Sequence, residues 1–290
     1  MAAARPAIVR DVNEQLRRRS VGAPAARSVL LTMLGEYVLP RAGGVWQETL
    51  VGALGSLGHK THAARQALAR SAAAGWLSTE RHGRRSRVHL TPDTAAMLRS
   101  GAQRIYTFGE PWEWDGRWLL VVLRVPEEHR EVRHRVRTRL AWAGLGSLGG
   151  GLWITPHVER ERELRDLAGG VAEVVSFRAR LGDLGDPARV VADAWDLDGV
   201  ADAYRAFAAR FGRMRPSGPE AVFRAQTLLV HEWRRFPFLD PDLPDELLPG
   251  RWPRRRAHEL FADRHDRWHA TAQAHFAALE AAGGAPAAAA

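Results

Sequence analysis

The chain has no cysteine among its 290 residues. Disulfide bridges, thiolate zinc centres, iron–sulfur clusters and cysteine nucleophiles are therefore excluded. No stretch approaches the roughly 20 apolar residues that a membrane-spanning helix needs. The N-terminal sequence MAAARPAIVRDVNEQLRRRS has no apolar core of signal-peptide length, because arginine and aspartate interrupt it. These absences are typical of a cytoplasmic protein, which is the location that we expect.

Lysine is almost absent as well, since Lys60 is the single lysine and arginine supplies the other basic charges. Residues 1–104 hold 16 of the 42 basic residues but only 6 of the 33 acidic ones, a balance of +10. The rest of the chain stands at −1, so the whole excess of +9 lies in the first third. This location favours a polyanionic partner over a general arginine bias, because a bias would raise arginine everywhere with matched acids.

Three helical segments followed by two short β segments occupy the basic region. Apolar residues at i, i+3 and i+4 spacing predict helices over residues 25–39, 47–57 and 61–75. Residues 76–80 and 86–90 are typical of strands, and they flank the turn His82-Gly83-Arg84. Three helices followed by a hairpin is the order of a winged helix-turn-helix, whose third helix enters the DNA major groove.

The third predicted helix, with Thr61 as its cap, has small apolar residues on one side and hydrogen-bond donors on the other. Arginine and glutamine can bind guanine and adenine edges, while the hairpin arginines can bind phosphates. The candidate DNA-contacting residues are Lys60, Thr61, His62, Arg65, Gln66, Arg70, Arg81, Arg84, Arg85 and Arg87. A solvated helix face is the alternative for each of them, and the hairpin and the local charge together favour DNA.

The middle of the chain predicts alternating strands and helices. An apolar run at Trp118–Val125 is typical of a strand, and residues 127–142 are typical of a helix. The pattern continues with a short hairpin (Gly146–Leu148 and Leu152–Thr155), a helix (157–167) and a strand (171–180). If the short hairpin forms, the order is β-α-β-β-α-β, which is the ferredoxin-like order and carries many unrelated functions.

The segment Gly144–Gly149 matches the G-x-G-x-x-G motif of dinucleotide-binding folds. In those folds the motif follows a strand and opens a helix, so that the helix N-terminus meets the pyrophosphate. Here it follows a predicted helix and leads into a predicted strand. We therefore interpret the glycines as a helix end and a tight connection, and we expect no cofactor.

Beyond Gly182 the sequence predicts helices over residues 187–195, 198–211, 219–236 and 256–282. His265 and His269 stand at i, i+4 on the last one, but a metal site would need a further ligand and a buried face. Without an H-E-x-x-H pattern we interpret them as solvated or packed, and we expect no metal. Asp240 and Asp242 lie in a proline-rich turn, where capping is the expected role. We find no catalytic motif, and we expect no catalytic residue and no enzyme.

The chain as a whole predicts an α+β fold in five sections. These are an N-terminal arm (1–24), a winged-helix DNA-binding domain (25–104), a ferredoxin-like middle domain (105–182), a helical C-terminal domain (183–282) and a disordered tail (283–290).

Five segments of the sequence resemble the PaaX-like transcriptional repressors of phenylacetate degradation. They are ARSVLLTMLGEYVLPRAGGVW, ARQALARSAAAGWLSTERHGRRSRVHLT, WDGRWLLVVLRVPE, GLGSLGGGLWITPH and EWRRFPFLDPDLPDELLPGRWP. They occur in order over about residues 25–280, so the resemblance covers nearly the whole chain.

The resemblance implies a homodimer that binds a palindromic operator on double-stranded DNA. It also implies release from that operator when an aryl-acyl-CoA, typically phenylacetyl-CoA, binds. By match, the recognition helix and the wing fall on Lys60–Ala74 and Leu77–Leu90. The middle domain is similar to a CRISPR-associated endoribonuclease, but only Asp115 stands near its first strand, so nuclease chemistry is not carried over.

An acyl-CoA effector needs cations for its phosphates and an apolar slot for its acyl group. The candidate effector-binding residues are Trp233, Arg234, Arg235, Trp252, Arg254, Arg255, Arg256 and His258. Ordinary surface charge is the alternative interpretation of these arginines.

Two further functions stay open on the sequence alone. One is a nucleic-acid-processing enzyme built on the ferredoxin-like domain. The other is an adaptor whose winged helix docks to protein and never contacts DNA.

Overall fold

The computed structural model describes residues 24–41, 43–110, 112–126, 129–162, 164 and 173–284. It contains helices and two sheets, so the expectation of an α+β fold is confirmed. The described residues form two compact units, one of residues 108–206 and 236–257 and the other of 24–107, 207–235 and 258–284. Within this described part, no helix is long and apolar enough to cross a bilayer. The predicted N-terminal arm lies outside it, except for Pro24.

The described residues from 24 to 107 form four helices and three strands. The helices are α1 (Ala26–Met33, continued by a π-helical turn over Leu34–Val38), α2 (Gln47–Ser56), α3 (Thr61–Ala73) and α4 (Pro92–Thr107). The strands are β1 (Val45–Trp46), β2 (Leu77–His82) and β3 (Arg85–Leu90), in the antiparallel order β1-β3-β2.

Two of these elements are absent from the sequence prediction. Strand β1 has only two residues, which is too short for an alternating pattern to show. Helix α4 starts after Thr91, whose hydroxyl accepts a hydrogen bond from the backbone N–H of Thr94 at 3.4 Å. Helix α4 runs to Thr107, so it includes the first three residues of the section predicted as the middle domain (105–182).

The middle segment forms a four-stranded antiparallel sheet with one long helix. Its elements are β4 (Trp118–Arg124), α5 (Arg130–Trp142), β5 (Gly146–Gly149), β6 (Leu152–Thr155) and β7 (Glu173–Ala179). The strand order is β5-β6-β4-β7. After β6 a 3₁₀ turn covers Val158–Arg160, and residues 161, 162 and 164 are helical. Residues 163 and 165–167 of the helix predicted over 157–167 lie outside the described residues.

The side chains of β4 are buried on both faces of this sheet, because successive side chains of a strand point to opposite faces. Leu119 and Val121 pack with Val136 and Leu140 of α5 in one cluster. Trp118 belongs to a second cluster, which also contains Ile154 of β6 and Val191. The apolar run of β4 is therefore explained by burial on both sides.

The glycine-rich segment between α5 and β6 is structural. Gly144 follows the end of α5 with a φ of 86°, a conformation that favours glycine. A Cβ on Gly146 would lie 2.6 Å from side-chain atoms of Ala194 and Trp195. The sequence interpretation of these glycines as a helix end and a tight connection agrees with this structure.

The remaining described residues are mainly helical. The helices are α6 (Pro187–Ala194), α7 (Leu197–Gly212), α8 (Pro219–Trp233), α9 (Phe236–Leu239) and α10 (Arg254–Gly284). Helices α7 and α10 contribute residues to both units. Gly283 and Gly284 belong to α10 and not to the predicted tail, while residues 285–290 lie outside the described part.

The core of the unit that contains α1–α4 also receives side chains from α8 and α10. Tyr37 stacks on Phe276 of α10, with ring centroids 5.0 Å apart, and contacts Phe223 of α8 at 5.1 Å. All three rings are fully buried. Near the end of α10, a carboxylate oxygen of Glu280 accepts hydrogen bonds from the backbone N–H of Trp46 at 3.0 Å and from the hydroxyl of Thr49 at 2.7 Å. Helix α10 therefore supports α1, β1 and α2.

Candidate nucleic-acid interface

Helix α3 separates small buried residues from long exposed ones. Its buried residues are Ala64, Ala67, Leu68 and Ser71. The candidate DNA-contacting residues in and next to this helix are all exposed: Lys60, Thr61, His62, Arg65, Gln66 and Arg70. Small buried side chains let the helix lie close to the core, while the long polar ones project from its other face. Thr61 is the first residue of the helix and Lys60 occupies the cap position, so the prediction of Thr61 as the cap is wrong.

Arg65 has one weak partner. Its Nη2 lies 3.4 Å from Oε1 of Glu48, and both side chains are more than half exposed. An exposed pair of this kind contributes about 0–1 kcal/mol. Arg65 can therefore exchange Glu48 for a base edge or a phosphate at little cost.

Strands β2 and β3 form a hairpin with a two-residue turn at Gly83 and Arg84. His82 pairs with Arg85, and the register continues to Leu77 opposite Leu90. Gly83 has a φ of 60°, and a glycine with positive φ at the first turn position is the pattern of a type II′ turn. The backbone twist of such a turn matches the right-handed twist of the two strands. The turn places Arg84 at the exposed tip of the hairpin.

The four arginines of the hairpin have different surroundings. Arg85 donates a hydrogen bond of 2.6 Å to the carbonyl of Gly284, and its guanidinium lies 5.6 Å from the Trp46 ring. Arg87 lies 5.2 Å from the same ring and 3.8 Å from a Glu280 carboxylate oxygen. These two arginines fasten the hairpin to β1 and to the end of α10. The other two, Arg81 and Arg84, are exposed.

The candidate effector residues Trp233 and Arg234 are both buried. The Trp233 ring stacks on Phe261 at 4.7 Å, and its indole N–H donates to the carbonyl of Ile105 at 3.1 Å. The Nη2 of Arg234 donates to the carbonyl and the hydroxyl of Ser28 at 2.8 and 2.9 Å. Burial lowers the pKa of Arg234 to about 9. Both residues hold the unit together internally.

Arg254 is also buried, and it is surrounded by acidic residues. Its Nη1 donates to Asp242 at 3.0 Å and lies 3.7 Å from Asp240, while its Nη2 donates to the carbonyl of Leu243 at 2.9 Å. Asp240 also accepts a hydrogen bond of 2.7 Å from the hydroxyl of Tyr204. Asp240 and Asp242 therefore bind Arg254, a role that the capping interpretation missed.

The remaining effector candidates are partly accessible. Arg255 and Arg256 are exposed, and the half-buried Trp252 packs beside Tyr204 with ring centroids 6.4 Å apart. His258 lies 5.8 Å from the Trp233 ring. Trp252 and Arg254–Arg256 belong to the unit of residues 108–206 and 236–257, and the other candidates belong to the second unit.

Arg235 lines a cavity of about 530 Å³ in the second unit. The cavity combines apolar side chains with basic ones, and it is lined by Pro24, Val29, Leu57, Gly58, His59, Arg210, Leu228, His231, Glu232 and Arg235. His59, Arg210 and His231 were not predicted as site residues. They come from three separate segments, so their proximity is a product of the tertiary structure and has no local sequence signal.

Three family models match consecutive parts of the chain. They are described as PaaX-like protein (residues 25–94), PaaX protein central Cas2-like domain (111–191) and PaaX-like protein C-terminal domain (195–278).

The chain is 30% identical over 247 residues to the transcriptional repressor PaaX of Escherichia coli strain K12. The match covers 80% of this chain and 77% of that protein. A solved structure of an uncharacterised protein from Mycobacterium tuberculosis shares the fold, with a TM-score of 0.60 and 22% identity, over 86% of this chain and 97% of that one. Because the named relative is a repressor, the expectation that the chain is not an enzyme is confirmed. The chain belongs to the PaaX-like family.

Proposed function

We propose that this protein is a DNA-binding transcriptional repressor, with a winged helix-turn-helix over residues 25–104. The observation that carries the proposal is the single exposed face of α3, where His62, Arg65 and Gln66 project beside a hairpin with two exposed arginines. The location of the excess positive charge in this part of the chain and the similarity to a repressor support it.

In this function α3 enters the major groove. His62, Arg65 and Gln66 contact base edges, and Lys60, Thr61 and Arg70 contact the flanking backbone. Arg81 and Arg84 bind phosphates, while Arg85 and Arg87 hold the hairpin in position. A homodimer presents two such helices to a palindromic operator, with half-sites about 34 Å or a multiple of it apart.

We propose that the middle segment is a ferredoxin-like domain without nuclease activity. The strand order β5-β6-β4-β7, antiparallel throughout, corresponds to that arrangement. Asp115 is exposed and accepts a hydrogen bond from the backbone N–H of Arg117 at 2.9 Å. The three-domain division of residues 25–282 and a location in the cytoplasm belong to the same proposal.

The effector that we propose is an aryl-acyl-CoA such as phenylacetyl-CoA. The cavity beside Arg235 supports this, because Val29, Leu57 and Leu228 provide an apolar lining and Arg235 provides a cation for phosphates. Arg210 is a second cation in the lining, and it pairs with Glu232 at 2.5 Å. In this proposal Arg235 binds the effector, and Trp233, Arg234 and Arg254 have supporting roles. Trp252, Arg255, Arg256 and His258 stay effector candidates in the proposal.

Fluorescence anisotropy with a labelled duplex from the region upstream of the gene tests the function. We expect saturable binding that weakens steeply with salt and is reversed by phenylacetyl-CoA. Arg189→Ala, which removes an exposed arginine outside the winged-helix segment, is the matched control and should bind as the unaltered protein does. Absence of binding at about 0.15 M salt would instead identify a protein-docking adaptor. Cleavage of DNA or RNA in the presence of Mg²⁺ would identify a processing enzyme.

A thermal-shift screen against acyl-CoAs tests the effector separately. A ligand that binds only the folded state raises the melting temperature, and the increase grows with the logarithm of the ligand concentration above its Kd. We expect phenylacetyl-CoA to raise it and Arg235→Ala to abolish most of the increase. An equal increase in the variant would place the effector elsewhere.

A further inference from the structure

A buried carboxylate in the π-helical turn after α1 is surrounded by histidines. Oε1 of Glu36 lies 3.2 Å from Nε2 of His265 and 3.3 Å from Nδ1 of His269. The Glu36 side chain is 5% exposed and the His265 side chain 17%, whereas that of His269 is 46% exposed. All of these residues belong to the unit that contains α1–α4. The cluster is therefore inside the protein and open to solvent on one side.

The spacing of these three atoms matches a metal site. They lie within 4.8 Å of one another. A tetrahedral zinc centre with bonds of about 2.0–2.1 Å places its ligand atoms about 3.3–3.4 Å apart. The two separations from Oε1 of Glu36, 3.2 and 3.3 Å, are close to this value. Two imidazoles and one carboxylate are also a ligand set that zinc accepts, with a fourth position open to water.

The local fold holds the ligands in place. His265 and His269 are one helical turn apart on α10, so both project from one face. One turn further, Nε2 of Gln273 donates to the backbone carbonyl of Glu36 at 2.8 Å. The π-helical turn over Leu34–Val38 supplies Glu36, and such turns are frequent at functional sites.

A second layer of residues orients the carboxylate. Tyr106 donates a hydrogen bond of 2.6 Å to Oε2 of Glu36, and Gln226 donates one of 3.0 Å to Oε1. These two hydrogen bonds orient the carboxylate, as the outer-shell partners of a metal ligand do.

We propose that Glu36, His265 and His269 bind a divalent transition-metal ion, with zinc as the preferred ion. The metal replaces the two histidine hydrogen bonds to Oε1, while Tyr106 and Gln226 keep theirs to the carboxylate. The bound metal ion joins the end of α1 to α10. The last residues of α10 form hydrogen bonds with Trp46 and Arg85. Metal binding thus strengthens the contacts that position the hairpin.

Zinc titration of the full-length, tag-free and chelator-treated protein tests the site, because the chain has no cysteine to provide competing ligands. We expect one zinc ion per chain by calorimetry and a higher melting temperature with zinc. His265→Gln and His269→Gln should each weaken binding by at least about ten-fold, since even indirect supports of a metal cost that much. His134→Gln, at an exposed position of α5, is the control and should bind as the unaltered protein does.

His269→Gln is the decisive variant, because the half-exposed side chain can be replaced without disturbing the core. Circular dichroism verifies that each variant is folded. With cobalt(II) in place of zinc, the unaltered protein should show the visible absorption of tetrahedral coordination and His269→Gln should lose it. Equal zinc affinity in the unaltered protein and in His269→Gln, or absence of zinc uptake by the unaltered protein, would overturn the proposal. DNA binding is not part of this readout, so the result is independent of the proposed repressor function.

Discussion

Two groups of arginines carry the same charge in opposite surroundings. The interface arginines, Arg65, Arg70, Arg81 and Arg84, are exposed on α3 and the hairpin. The internal arginines, Arg234, Arg254 and Arg264, are 3%, 5% and 7% exposed. Each internal arginine donates to backbone carbonyls, and Arg254 and Arg264 also pair with carboxylates.

The difference between the groups follows from desolvation. A guanidinium taken out of water can find partners only inside the protein, so an internal arginine fixes the segments that supply those partners. An interface arginine keeps its water until a phosphate or a base replaces it, and it is therefore available to DNA. Arginine content alone does not distinguish the two roles.

The largest effect is expected from removing an internal arginine. Arg254→Ala leaves Asp240 buried without its cation, and breaking a buried pair in this way costs about 3–5 kcal/mol. Urea unfolding measures the loss of free energy of unfolding. Arg256→Ala, exposed on the same helix, is the matched control and should change it by less than about 0.5 kcal/mol. Similar losses in both variants would contradict the distinction.

Among the interface arginines, Arg65 should have the largest effect on specific DNA binding. If Arg65 binds a base edge through two hydrogen bonds, Arg65→Ala weakens specific binding by about 1–3 kcal/mol. The free energy of unfolding of this variant should change little, because the ion pair of Arg65 with Glu48 is exposed. Anisotropy with a specific and a scrambled duplex measures both affinities. An equal loss on the two duplexes would assign Arg65 to phosphate contact instead.

His231, which lies next to the internal Arg234, should make the free energy of unfolding depend on pH. Arg234 can only donate, so Nδ1 of His231, at 3.3 Å, must accept and carry no proton. Burial, together with the nearby Arg234, lowers the pKa of His231 to about 2. The unfolded histidine binds a proton below about pH 6.5, so stability is lost as the pH falls below that value, by about 1.4 kcal/mol at pH 5.5.

Urea unfolding at pH 7.5 and 5.5 measures this loss. His231→Gln should reduce the difference between the two pH values by about 1.4 kcal/mol, because glutamine does not titrate. His134→Gln is the control and should keep the full difference. An unchanged difference in His231→Gln would show that the histidine is protonated in the folded state.

The smallest effect is expected at the hairpin tip. If Arg81 and Arg84 bind phosphates, replacing both by alanine lowers the salt slope of log K by about 1.8 and weakens binding equally for all sequences. Titrations between about 0.05 and 0.2 M salt measure the slope. A sequence-dependent loss would mean that the hairpin contacts bases.

Most of the helices and strands were predictable because their apolar periodicity is local. The observed bounds of α2, α3 and α5–α8 lie close to the predicted ones, since each buries one face along its own length. The exposed face of α3 could be predicted from the sequence for the same reason. Strand β1 could not be predicted, because the pairing of Val45 with Val88 creates this strand and its own two-residue sequence carries no pattern.

The chemistry of the candidate sites was less predictable. Arg254 and Arg256 belong to the same run of three arginines, yet one is buried among carboxylates and the other is exposed. The histidine pair of α10 lacked a third ligand in the sequence, and Glu36, 229 residues away, supplies one.

The sequence by itself determined the α+β class, the helical faces, the hairpin and the concentration of positive charge at the N-terminal end. These features depend on composition and on periods of two or 3.6 residues, which short segments carry. Only the tertiary structure decided which arginines are internal, which two fasten the hairpin, and that Glu36 lies between two histidines. Those outcomes depend on desolvation and on contacts between distant segments, which exist only when the chain is folded.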